Sequence, residues 1–136
     1  MRKTALLARG LFVVLVLIVT WLTLTPSPEN AESGFALARW AATLLFGDAG
    51  LTDKVAHFMA YGALGACAFW ARLTLAGRLW AAPLALAVYG AALEGAQGLG
   101  GVRSPELADA VANALGALAG FAGAAALSLL ARARAS

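Results

Sequence analysis

Apolar residues run almost without interruption over four stretches of this chain, 6–25, 55–71, 79–97 and 107–130, and polar residues gather in and around the gaps between them. Each stretch approaches the roughly 20 residues an α-helix needs to cross a hydrocarbon core of about 30 Å. The pattern predicts four membrane-spanning helices. A further apolar segment, 34–47, places Phe35, Leu37, Trp40, Ala41, Leu44 and Leu45 on overlapping helical positions but is too short to cross. It reads as a short helix in the membrane interface, with Trp40 anchored and the Arg39 side chain reaching for water. Pro26, Pro28, Asn30 and Ser33 mark a turn or extended segment ahead of it. The expected architecture is all-α: an integral membrane four-helix bundle, one domain over residues 1–136, with a short interfacial helix between the first two spans.

Composition agrees with that pattern. The chain is 62% hydrophobic and 12% charged with a mean hydropathy of +0.81, which leaves too few polar groups to solvate a soluble surface. Threaded through a bilayer four times, the charges sort by side. Glu29, Glu32, Asp48, Asp53, Glu94, Glu106 and Asp109 fall at one face, and Arg2, Lys3, Arg9, Arg72, Arg78, Arg132 and Arg134 at the other. Because positive charge beside membrane helices stays in the cytoplasm, both termini are expected inside. Trp21, Trp70 and Trp80 lie near helix ends, where an indole suits the interface. The basic pI of 9.6 does not imply a nucleic-acid partner, since insertion already explains the basic collar and no nucleic-acid-binding motif accompanies it. Residues 1–25 also resemble a secretory signal, but the apolar run outlasts the usual signal core and no A-x-A site follows, so a retained helix is expected. The lone Cys67 allows no internal disulfide and reads as a small apolar side chain.

The polar residues that interrupt the spans form their own pattern. Asp53, His57 and Tyr61 are spaced four apart and share a helix face, with Lys54 beside them; Glu94 and Gln97 are three apart; Asp109 and Asn113 are four apart. Arg103 and Ser104 fall in the loop between the last two spans. All of these are expected in the outer part of the membrane. A charge near the centre of a span costs about 2.5–3.5 kcal/mol on insertion scales, less toward the interface, so Glu94 and Asp109 need partners. Arg103, Lys54 and His57 are the candidates. Gly116 and Gly120 make a small-xxx-small pair that lets another helix approach closely, and Gly65 reads in the same way. The alanine-rich fourth span is either central or oligomer-forming. One His and one Cys on mismatched levels give no metal set, so no metal is expected, although the carboxylates could recruit a hard cation from outside; no cofactor motif is present. Gly98, Gly100 and Gly101 lack the Lys and Ser/Thr of a phosphate loop and read as a helix stop. A Ser104-His57-Asp53 triad can be written, but neither order nor spacing identifies one, and the catalytic residues stay open.

Taken together, Asp53-Lys54, His57, Tyr61, Leu64-Gly65, Glu94, Gln97, Arg103, Ser104, Asp109, Asn113, Gly116 and Gly120 resemble, in order and spacing, the pattern of the VanZ-like membrane protein family. The resemblance implies a four-helix integral membrane protein of the bacterial cell envelope; the founding member is associated with resistance to the glycopeptide teicoplanin. It implies no particular reaction. Beside it stands a reading from the residues: a pocket open to the outer leaflet in which Arg103, Lys54 and His57 hold an anionic group, such as the phosphate of a lipid-linked cell-wall intermediate. Glu94 or His57 would serve there as a general base. The alternative is a non-enzymatic interaction or scaffold protein whose polar residues only fix helix register. A small proton-coupled transporter would use Glu94 and His57 as a relay, but polar residues confined to the outer half give it no continuing path.

Overall fold

The computed structural model describes residues 2–25, 32–101, 104 and 106–135, and these are helical apart from turns and one isolated bridge. Five α-helices follow in order: α1, Arg2–Leu24; α2, Glu32–Phe46; α3, Thr52–Trp70; α4, Ala81–Leu99; and α5, Leu107–Ala133.

Local chemistry sets where the helices start and stop. Gly47 takes the left-handed conformation (φ 67°) that closes α2. The Asp48 carboxylate then accepts the Gly50 N–H at 2.7 Å, and a single 3-10 turn, Ala49–Leu51, leads into α3. Hence α3 begins at Thr52, ahead of the apolar run expected from 55, and takes Asp53 and Lys54 into its first turns. At its other end Leu75 and Arg78 exchange backbone hydrogen bonds of 3.2 and 3.0 Å around Ala76 and Gly77, both at positive φ (51° and 73°). This two-residue turn has the sign pattern of type I′. It occupies 75–78, so α4 starts at Ala81 rather than at the expected 79.

Helices α1 and α5 have the length and apolarity of membrane spans. Helices α3 and α4 are 19 residues each, about 28 Å long, but Asp53, Lys54 and His57 in one and Pro83, Glu94 and Gln97 in the other interrupt their apolar character. Two of the four expected spans, α1 and α5, therefore meet the apolar criterion outright, and α3 and α4 do not. Side-chain bonds fix the direction of the helices. The Arg9 Nε–H donates to the Ala71 carbonyl at 3.1 Å, and the Gln97 amide donates to the Thr23 carbonyl at 2.5 Å. The C-terminal ends of α1 and α4 thus lie at the same end of the molecule as the N-terminal ends of α3 and α5.

The core lies along α3, where Tyr61, Leu64 and Ala68 meet Leu86 and Leu93 of α4 and Ala117 of α5. The α3–α5 contact is the most extensive in the molecule, and glycine makes it possible. A Cβ on Gly65 would fall on the Ala117 carbonyl, one on Gly116 on the Phe58 carbonyl, and one on Gly120 on the Gly62 carbonyl. Phe69 and Phe121 close the seam edge-to-face at 5.4 Å, and Cys67 is buried in α3. Helix α2 packs on α3 through the buried Ala38 and Ala42, with Leu37, Trp40, Leu44 and Leu45 facing outward. Helix α1 rests on α3 and α4 with only 6% of its apolar stretch buried. A hydrogen bond between the Thr20 and Tyr89 hydroxyls joins it to α4.

Candidate functional site

At the end of the bundle where α3 and α5 begin and α4 finishes, polar side chains from all three helices meet. Both carboxylates in the first turns belong there for a local reason: Asp53 and Asp109 sit at helix N-termini, where unpaired N–H groups favour negative charge. Lys54, one residue past Asp53, reaches across to α5. Its ammonium stands 2.9 Å from Asp109 Oδ1 and 3.6 Å from Asp53 Oδ2, and it donates to Glu106 Oε2 just before α5. Asp109 is only 2% exposed, so this ion pair answers the partner that its burial demands.

His57 occupies the centre. Its Nδ1 lies 2.9 Å from Asn113 Oδ1 and 3.8 Å from Glu94 Oε1, while Nε2 faces Asp53 Oδ1 at 3.9 Å and Asp109 Oδ2 at 4.0 Å. The Asn113 oxygen can only accept, so the short contact makes Nδ1 the donor and leaves Nε2 of a neutral ring as the atom able to take a proton. Around it Glu94, Gln97 and Asn113 are all buried. Gly90 of α4 gives this packing its room: a Cβ there would stand 2.9 Å from Asn113 Cβ and 3.0 Å from the Tyr61 ring. Tyr61 itself is buried one turn below His57, its ring 6.3 Å from that of Tyr89.

Asp53, His57 and Asp109 also bring one ligand atom each within 4.8 Å of one another. One nitrogen and two carboxylate oxygens are a donor set that suits a divalent cation, and the two carboxylates are of the kind the sequence offered for a hard cation.

Beside the cluster a cavity of about 390 Å³ opens between α1, α2 and α3. Val19, Leu22, Phe35 and Met59 give it apolar walls, and Asp53, His57 and Gln97 line it too. The polar network and the cavity thus share side chains.

Of the residues singled out in the sequence, Asp53, Lys54, His57, Glu94, Asp109 and Asn113 converge, and Tyr61 and Gln97 border them. Ser104 stands exposed in the connection before α5, apart from the buried group. Arg103, expected as a partner for Glu94 and Asp109, lies outside the described residues; Lys54 is the cation beside Asp109, and the His57 ring stands between Glu94 and Asp109. Glu106 was not singled out for the site. Its spacing of three from Asp109 is the signal that would have placed it beside Lys54. The backbone carbonyl of Thr23, partner to Gln97, has no side-chain signature at all.

No curated protein and no solved structure matches this chain. A family model, VanZ/LLP1, matches residues 12–130, a stretch that runs from within α1 to near the end of α5 and contains every residue of the cluster. With that match over most of its length, the chain belongs to the VanZ/LLP1 family.

Proposed function

We propose that this chain is a multi-pass protein of the bacterial cytoplasmic membrane, with both termini inside and α2 at the outer interface. In this reading its polar cluster holds the head group of an anionic envelope lipid or a lipid-linked cell-wall intermediate. The observation that carries the reading is the cavity whose walls are apolar and whose lining includes part of a buried acid, amide and histidine network. Such a shape matches an amphiphile: an apolar chain against Val19, Leu22 and Phe35, and a hydrogen-bonding head at His57 and Gln97. Carboxylates and amides suit the hydroxyls of a sugar, and Lys54 suits a phosphate. Lys54 already has acidic partners, so an incoming phosphate takes the place of Glu106, the more exposed of its two closest carboxylates, and leaves Asp109 in position. A protein that holds a cell-wall intermediate in this way would alter the access of a glycopeptide antibiotic to its target, which would give the founding member's resistance association a physical route.

Binding of labelled anionic lipids to the protein in nanodiscs tests this. His57→Ala and Lys54→Gln are expected to weaken binding about tenfold or more while the protein stays folded, and Glu106→Gln to strengthen it. Unchanged binding in folded His57→Ala and Lys54→Gln proteins would sink the proposal. A second reading is favoured by how completely these groups answer one another: Lys54 with three carboxylates, His57 with Asn113, Gln97 with Thr23. Under it the cluster fixes helix register in a scaffold protein, and the same substitutions lower thermal stability without any lipid dependence.

A further inference from the structure

The opposite end of the molecule holds a second, larger cavity of about 1000 Å³, and nothing in the polar cluster accounts for it. Helices α1 and α5, the two with the apolar length of membrane spans, nowhere pack against each other. The gap between them becomes a cleft walled by Leu7 and Leu11 of α1 and Phe69 of α3, with Ser128 of α5 on its side and Arg72 and Arg132 at its rim. No Asp or Glu occurs in residues 1–28, 54–93 or 110–136, so among the described residues no acidic side chain from this end competes for the two guanidinium groups. This reverses the situation around Lys54. Arg72 is also held at a left-handed φ of 53°, a conformation that glycine adopts at less cost, directly after the last turns of α3.

In a bilayer an apolar cleft between two spans is filled by lipid chains, because an empty one forfeits its contacts. Two arginines at its mouth then select what sits above those chains, since the guanidinium fork pairs with phosphate oxygens. We infer that this cleft is a binding site for an anionic phospholipid, with its acyl chains along Leu7, Leu11 and Phe69 and its phosphate between Arg72 and Arg132. The site is distinct from the polar cluster and rests on the reading of α1 and α5 as membrane spans. A topological role alone, with the arginines serving only to hold the termini inside, makes no distinction between these two positions and the other arginines at this end.

The test uses the full chain purified in detergent, with phosphatidylglycerol or phosphatidylcholine of identical acyl chains added back. Bound lipid is counted by native mass spectrometry and stabilisation is followed by thermal unfolding. The wild type is expected to hold phosphatidylglycerol about tenfold more tightly than phosphatidylcholine. Arg72→Gln with Arg132→Gln should abolish that preference, and Arg78→Gln with Arg134→Gln, an equal loss of charge outside the cleft, should keep it. Inorganic phosphate should not displace the lipid, because it leaves the apolar walls uncovered. If the glutamine pair at the cleft fails to fold, Arg72→Lys with Arg132→Lys keeps the charge, removes the fork, and is expected to reduce the preference several-fold. Equal preference in both glutamine pairs, equal loss in both, or no preference in the wild type overturns the inference. Protein found in the soluble fraction of cells fails the membrane reading itself, whereas membrane-integrated protein indifferent to the lipid head group fails only this site.

Discussion

Helices α3 and α5 touch backbone to backbone, whereas α1 is tied to its neighbours at separate points by side chains. Along the first seam Gly65, Gly116 and Gly120 leave no room for a single methyl group between the helices. Along the second, the Arg9 bond to Ala71, the Thr20–Tyr89 hydroxyl pair and the Gln97 bond to Thr23 act at three levels, and most of α1 stays uncovered. The contrast matters because the polar cluster is built on the first arrangement and the cavity beside it on both. Lys54 and His57 are placed against Asp109 and Asn113 by the close α3–α5 seam, while the apolar walls are held by side-chain packing, Val19 of α1 in the core and Ala38 and Ala42 of α2 against α3, and by a few bonds. For the amphiphile site proposed above, the close seam supplies the fixed placement of the charges that a binding site requires.

The sharpest way to break this contrast is Gly120→Leu. Its side chain has to displace the α3 backbone at Gly62, and a loss of about 3 kcal/mol or more, or failure to accumulate folded protein, is expected in thermal unfolding. A variant as stable as the wild type would mean that the seam is not as close as described. Asp109→Ala comes next. It leaves Lys54 with Glu106 and Asp53 but removes the buried member of the group, so a loss of about 2 kcal/mol is expected, with Asp109→Asn milder. Should Asp109→Ala have no effect on unfolding, the ion pair contributes nothing to holding α3 on α5. Gln97→Leu probes the other arrangement: losing one bond to Thr23 should lower stability by only about 0.6 kcal/mol, while raising the exchange of amides in α1. Slower exchange there would contradict the view of α1 as pinned at points. The smallest effect is expected at Gly123, where a Cβ meets nothing within 4 Å; Gly123→Ala should stay within about 0.5 kcal/mol of the wild type. A loss there as large as at Gly120 would show that glycine in α5 serves something other than the seam.

The sequence made the faces of the helices legible and left their mutual rotation dark. Spacings of four linked Asp53 to His57 and Asp109 to Asn113, and the polar residues marked where apolar stretches were interrupted, because the helical repeat alone puts such residues together. The Gly116 and Gly120 pair signalled a close helix, but nothing in it named α3 as the partner. Turn chemistry settles the helix starts that the apolar runs only approximate: Asp48 and Gly47 launch α3 at Thr52, and the Ala76-Gly77 turn delays α4 to Ala81. Ala76 at positive φ has no sequence signal, since alanine rarely stands there. Bonds such as Thr20 to Tyr89 lie inside apolar runs, where a hydroxyl reads as an incidental substitution. The cavity was expected only as an outward opening. Its walls from α1 and α2 depend on how those helices lean, which no periodicity encodes.

The burial of Cys67 has a practical consequence. It is the chain's single thiol and is shielded within α3, so a water-soluble maleimide meets almost no native background. Cysteines introduced at the exposed Ala49 and Ala76, in turns at opposite ends of the bundle, would be the reactive positions. If the chain crosses the membrane as proposed, reagent applied to intact cells tags the Ala49 turn and spares the Ala76 turn, and a pair of gel lanes reads out that sidedness.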